Sequence, residues 1–332
     1  MANLLGCGIP AMAQMSAPPR STLQAGQLGV VINDDDPLSV ELGAYYVKAR
    51  GVPAKNVAHV RIPDQPRKLD AGQFAALKQS IDEQLGADIQ AVVMVWTAPY
   101  AVECNSITAA YTLGFNAEQC AKPCGPGKDS AYFNSTAARP SAAGVRLSML
   151  LPAETLEQGK ALVDRGILSS FRMPAASAYF LITSDAARSS RAPFFPQAMV
   201  LPKKKLAIKV LRTDSLENAN DIVLYQTGLA KVPKLETLRF VPGALADHLT
   251  SFGGDLLGTN QMSSLRWLEA GATASYGTVS EPCNYWQKFP NGTVLLASYL
   301  NGATAIEAYW KSVKWPSQGL FIGEPLAAPY RN

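Results

Sequence analysis

Short, unbroken apolar runs alternate along the chain with segments whose apolar residues recur every three or four positions. Leu28-Gly29-Val30-Val31-Ile32 is such a run, and its lack of polar alternation predicts a strand buried on both faces. A helix is predicted next: Asp36 caps it, Pro37 takes the first helical position, Leu38, Leu42, Tyr45 and Ala49 share a face, and Gly51 closes it. Residues 57–62 read as a second strand. Asp70 then caps a helix carrying Phe74, Leu77, Ile81 and Leu85, stopped by Gly86, and residues 89–96 form a third buried strand. This strand–helix alternation predicts an α/β fold, a three-layer sandwich with a mostly parallel sheet flanked by helices.

The rhythm breaks at residues 100–150, rich in Cys, Gly, Pro, Asn and Ser, which read as an ordered insertion. It resumes with a helix over about 152–171 and strands over 178–183, 206–211, 222–225 and 237–241, the Lys203-Lys204-Lys205 run being a solvated strand entry. Pro242 is expected to open a helix holding His248. A helix over 262–270, a strand over 272–279 and a final helix opened by the Thr304-x-x-Glu307 capping box complete the pattern. Residues 21–330 are expected to form a single α/β domain.

Composition narrows the function. Of 332 residues 48% are hydrophobic and 17% charged, which excludes disorder, and a net charge of +4 is too small to imply a polyanion, so no nucleic-acid partner is expected. No run of about 18 apolar residues exists to span a membrane. There are two histidines, His59 and His248, so a three-His metal site is impossible. No metal site and no cofactor are expected.

The N-terminus points to export. Ala11-Met12-Ala13 before Gln14 has the small-x-small form of a signal-peptidase site, and Leu4-Leu5-Gly6-Cys7 fits a lipoprotein cleavage box; residues 1–20 are expected to be a signal peptide or a disordered tail. Removing them leaves Cys104, Cys120, Cys124 and Cys283. Four cysteines allow three pairings, and a disulfide from Cys104 to Cys120 or Cys124 would staple the Cys/Gly/Pro-rich loop; zinc is the rival reading, but the spacing lacks a paired knuckle and a nearby His.

Familiar catalytic motifs fail. Position 122 is Lys rather than the Gly of a phosphate loop, Gly253-Gly254-x-x-x-Gly258 lacks dinucleotide-binding spacing, and Gly-x-Ser-x-Gly and His-Glu-x-x-His are absent. Candidate chemistry lies at expected strand ends, where α/β proteins gather ligands. Asp34 and Asp35 follow the first strand and suit a cation or a basic group; the simpler alternative is that Asp36 caps the helix and the other two complement its dipole. Trp96 and Tyr100 leave the third strand at the same rim, as pocket wall or core cover. Ser251 and Glu281 are expected to share that rim as ligand-binding residues. Cys283 follows the 272–279 strand and, with His248 as base, is the candidate nucleophile; Ser251 is a further one. A half-buried structural His248 and a disulfide-bonded Cys283 are the alternatives. His59 reads as a strand residue.

Two resemblances arise from these segments. Gly302-Ala303-Thr304-Ala305-Ile306-Glu307-Ala308-Tyr309-Trp310 with Gly323-Glu324-Pro325-Leu326, and Gly271-Ala272-Thr273-Ala274-Ser275-Tyr276-Gly277, resemble the end of gingipain-type cysteine peptidases over roughly residues 237–330. This implies the caspase–haemoglobinase fold. Over most of the chain, Asn33-Asp34-Asp35-Asp36-Pro37-Leu38-Ser39, residues 246–254 and residues 323–330 are similar to a family of uncharacterised exported bacterial proteins. The peptidase resemblance implies a His-Gly at one strand end and a nucleophilic Cys at the next, ahead of the Gly-Ala strand. This chain has no His-Gly dipeptide, its corresponding segment Leu249-Thr250-Ser251-Phe252-Gly253-Gly254 has no cysteine, and Cys283 falls after the strand. The leading expectation is an exported, non-catalytic peptidase-like domain with a binding or assembly role at the cell envelope, its partner a peptide or an envelope protein. The alternative is a cysteine hydrolase using Cys283 with His248.

Overall fold

The computed structural model describes residues 23–170 and 173–331; the expected signal peptide or tail, with Cys7, lies outside them. In chain order the elements begin β1 (Leu28–Asn33), α1 (Pro37–Arg50), β2 (Val57–Val60), β3 (Lys68–Leu69), α2 (Ala71–Gln84), β4 (Ala91–Val95), β5 (Ala101–Val102) and β6 (Asn105–Ser106). Next come α3 (Ile107–Leu113), α4 (Ala117–Ala121), β7 (Leu147–Leu150), α5 (Leu156–Ser169), β8 (Ala176–Ile182), β9 (Met199–Leu201), β10 (Leu206–Arg212) and β11 (Ile222–Thr227). The chain closes with β12 (Phe240–His248), α6 (Leu265–Glu269), β13 (Ala274–Thr278), α7 (Gly292–Leu300), α8 (Ala305–Ser312) and β14 (Gly319–Gly323).

Eleven strands form one sheet in the order β2-β1-β4-β7-β14-β13-β12-β11-β8-β10-β9, while β3, β5 and β6 form a small separate sheet. The expected α/β architecture is the one observed. β1 and β4 are buried along their whole length, as their unbroken apolar runs require. The chain passes from β1 through α1 outward to β2, then through α2 back across to β4. Right-handed crossovers in opposite directions place α1 and α2 on opposite faces of the sheet. The helix ends follow their sequence signals: Asp36 accepts from the Leu38 amide at 3.0 Å, Gly51 closes α1 at φ 64°, and Thr304 and Glu307 make a reciprocal capping box.

The sheet is not parallel throughout. β2, β1, β4, β7 and β14 run one way, and β13, β12, β11, β8 and β10 the other. The reversal occurs at the antiparallel β13–β14 pair, Ala274 opposite Gly323 through Thr278 opposite Gly319. β9 pairs antiparallel with β10 at one margin, with Val200 68% exposed, and Lys203, Lys204 and Lys205 follow it.

One expectation is corrected. His248 ends a strand, not a helix: Ala and Leu favour helix locally, but residues 244–248 are fully buried and ladder with β11, Thr227 opposite His248. Tertiary pairing overrides the local propensity. β7, at the end of the Cys- and Gly-rich 100–150 segment, is a central strand between β4 and β14 covered by α3 and α8.

The core also encloses an ion pair. Arg191 and Asp247, each 1% exposed, are hydrogen-bonded through Nη1 and Oδ1; Nη2 of Arg191 donates to the Thr227 carbonyl at 2.8 Å, and Gln226 Nε2 donates to Asp247 Oδ2 at 3.0 Å. Removing one partner leaves a charge stranded in low dielectric. Arg191→Met is therefore expected to cost about 3–5 kcal/mol in unfolding free energy by urea titration, with Arg191→Met/Asp247→Leu recovering part of it. A single variant as stable as the wild type would contradict this account.

Candidate functional site

Because the sheet reverses at β13–β14, its carboxyl ends lie on two opposite edges. β1, β4 and β7 end on one; β8, β11, β12 and β13 end on the other. The single rim expected from Asp34 to Glu281 is thus divided. Asp34 and Asp35 stand beside β2, where Asp34 Oδ1 meets His59 Nδ1 at 2.7 Å and Asp35 Oδ1 accepts from Arg61 Nη1 at 2.7 Å. Trp96 is buried, its indole donating to the Pro99 carbonyl at 3.0 Å. Tyr100 is buried too, its hydroxyl bonded to Asp255 in the segment following β12. These two aromatics are core cover.

Ser251 and Glu281 do come together, at the second edge. With Arg188, Thr250, Cys283 and Asn284 they line a cleft of about 260 Å³. Thr250 Oγ1 accepts from Arg188 Nε at 3.2 Å and donates to Gln261 Oε1 at 2.7 Å, while Asp185 Oδ2 accepts from Arg188 Nη1 at 2.7 Å. The guanidinium is thereby fixed at the cleft wall, an arrangement sequence reading missed. Its one signal was Asp185 three residues before Arg188 on the segment leaving β8.

His248 does not face this cleft as a base. Its ring is fully buried; Nδ1 meets the Trp267 indole N–H at 2.9 Å and Nε2 meets the Met262 carbonyl at 3.0 Å. Indole can only donate, so Nδ1 is unprotonated and the proton sits on Nε2, donated to Met262. Burial pushes its pKa down to about 3, holding the ring neutral. Both nitrogens are engaged.

Cys283 is bonded to Cys124, across 159 residues, and Cys104 to Cys120. A disulfide sulfur carries no thiolate, so in this state Cys283 and His248, the alternative dyad, do not form a nucleophile–base pair. The staple expected from Cys104 is the one to Cys120. The loop bearing Cys124 is drawn to the β13 exit by two further contacts: Lys288 Nζ donates to the Pro123 carbonyl at 2.5 Å, and Ser280 Oγ to the Cys104 carbonyl at 2.6 Å. Lys288 is buried there, which brings its pKa down to about 8.

A larger groove of about 1020 Å³ has Lys231, Val232, Leu235, Leu238, Arg239 and Met262 in its lining, Met262 being the residue whose carbonyl meets His248.

No family model matches the sequence, and no curated protein matches it. The fold has solved counterparts. The Arg-specific cysteine proteinase gingipain R superposes with a TM-score of 0.51 at 10% identity, over 93% of this chain and 79% of that one. A complex of the pro- and mature domains of the Porphyromonas gingivalis protein RgpB gives 0.48 at 11% identity, over 91% and 79%. The likeness to gingipain R establishes the caspase-like fold and, at that identity, the fold alone.

The buried neutral His248 has a thermodynamic consequence. Its folded pKa lies below the unfolded value of about 6.5, so between pH 6.5 and 3 the unfolded chain binds more protons and stability falls with pH. The slope from this group is about 1.4 kcal/mol per pH unit. Urea titrations at pH 7 and pH 4.5 should show a stability loss in the wild type that shrinks in His248→Gln; equal losses would refute the assignment.

Proposed function

We propose that the chain is an exported, non-catalytic peptidase-like domain that binds a peptide or an envelope protein at the cell envelope. The observation that carries this reading is the state of the strand ends at the second carboxyl edge. β11 ends on Thr227, followed by Gly228, and β12 ends on His248, followed by Leu249 and Thr250. These are the neighbouring ends at which the resembled peptidases would hold His-Gly and the nucleophilic Cys. His248 is neutral and fully hydrogen-bonded, and Cys283, the one cysteine at the cleft, is oxidised.

What remains suits recognition. A guanidinium held on two partners and the Asn284 amide form a polar wall able to receive a backbone carbonyl or a carboxylate. Two disulfides fit a chain that matures in an oxidising compartment. No helix among the described residues is long and apolar enough to cross a membrane, so attachment to the envelope would come through a partner or through the N-terminal segment.

Protein purified from an oxidising compartment should turn over no peptide in a degenerate fluorogenic library, and Cys283 should resist iodoacetamide at neutral pH. A photo-crosslinking residue at position 284 should capture a peptide or an envelope protein in cells, and Arg188→Ala should weaken that capture. Turnover abolished by Cys283→Ser or His248→Gln would sink the reading.

A further inference from the structure

We propose that Cys124, Cys283 and Glu281 form a redox-gated site for a soft divalent cation, Zn²⁺ by preference, which opens when the disulfide between the two cysteines is reduced. The two sulfurs and a carboxylate oxygen lie within 4.8 Å of one another. Tetrahedral zinc needs ligand atoms about 3.5–3.8 Å apart, given Zn–S and Zn–O bonds of about 2.3 and 2.0 Å. Breaking the S–S bond lets the sulfurs part into that range with little movement of the chain. This goes beyond the binding role proposed above and stands or falls separately from it.

The site is held without the disulfide. Glu281 Oε1 accepts from the Cys283 amide at 2.8 Å, which fixes the carboxylate and leaves its second oxygen free for a metal. Gln318 Nε2 donates to the Glu281 carbonyl at 2.9 Å and to Ser280 Oγ at 2.9 Å, anchoring the loop after β13. On the other side, Lys288 Nζ holds the Pro123 carbonyl next to Cys124, and the Trp315 indole donates to Asp129 at 2.6 Å. Reduction therefore leaves both cysteines beside Glu281.

Chemistry and charge agree. Two thiolates suit a soft cation, and with one carboxylate they make a three-ligand set that leaves one position for water. Cys283 and Glu281 both line the 260 Å³ cleft, which has room for that water. Zn²⁺ with three anionic ligands carries one net negative charge, offset by the Lys288 ammonium. The Cys104–Cys120 pair differs: the Asn105 amide donates towards both sulfurs, at 3.3 and 3.4 Å, and as a donor it does not ligate a cation.

The steps balance. A dithiol reductant gives two electrons and two protons to the disulfide, breaking the S–S bond into two thiols while its own sulfurs close into a disulfide. The cation then forms two metal–sulfur bonds and releases two protons.

The test uses the full chain carrying Cys7→Ser, so that the described cysteines are its only thiols. After treatment with dithiothreitol and anaerobic removal of the reductant, titration with Co²⁺ should give thiolate-to-metal charge-transfer absorption saturating at one equivalent. Zn²⁺ should displace it and protect Cys124 and Cys283, but not Cys104 and Cys120, from alkylation read by mass spectrometry. The oxidised protein should bind none, Cys283→Ser should abolish the signal, and Glu281→Gln should weaken binding about tenfold or more. A disulfide that resists reduction in the folded protein, failure to bind, or protection of Cys104 and Cys120 instead would each overturn the proposal.

Discussion

The antiparallel pairing of β13 with β14 is the constraint on which the rest of the molecule depends. It joins two parallel halves head to tail and so decides which strand ends share an edge. The seam demands close approach: at Gly323, where φ is 125°, a Cβ would lie 2.4 Å from the Thr273 carbonyl oxygen and 2.5 Å from the Ala274 Cα, so glycine is required where the two strands meet. Had β14 run with its neighbour, Asp34, Asp35 and Glu281 would lie along one rim. Because it runs against it, the acidic pair after β1 and the polar cleft after β12 belong to different surfaces.

At the carboxyl edge of β11 and β12, two buried ionisable groups are taken up by the surrounding structure. Asp247 is tied to Arg191 and Gln226, and His248 to Trp267 and Met262. Each would be costly to bury alone, and each is satisfied where it stands. His248 ties β12 to the 262–267 segment through both ring nitrogens. In the cleft above, Arg188 and Thr250 are likewise held, by Asp185, by Gln261 and by each other.

Much of the fold was legible in the sequence. Unbroken apolar runs marked β1 and β4, and caps at Asp36, Asp70 and Thr304 marked their helices, because these signals act within a few residues. The site was less legible, for long-range reasons. Residues 244–248 read as helix because alanine and leucine favour it; pairing with a strand some twenty residues upstream made them β12. Cys283 read as a thiol at a strand end, while its partner is 159 residues away and nothing local announces it. The expected rim failed because sequence shows that strands exist before it shows which way they run.

The outer margin of the sheet carries a different lesson. An eleven-stranded sheet ends in β9, an apolar strand with Met199 and Val200 open to solvent, the kind of edge on which further strands can nucleate. Three lysines follow at once. Charge beside an edge strand disfavours the addition of another strand, and Lys203 and Lys205 are exposed there. Salt shortens the reach of those charges, to about 8 Å at physiological ionic strength and about 3 Å at 1 M, so this protection of the edge is local and weakens as salt rises.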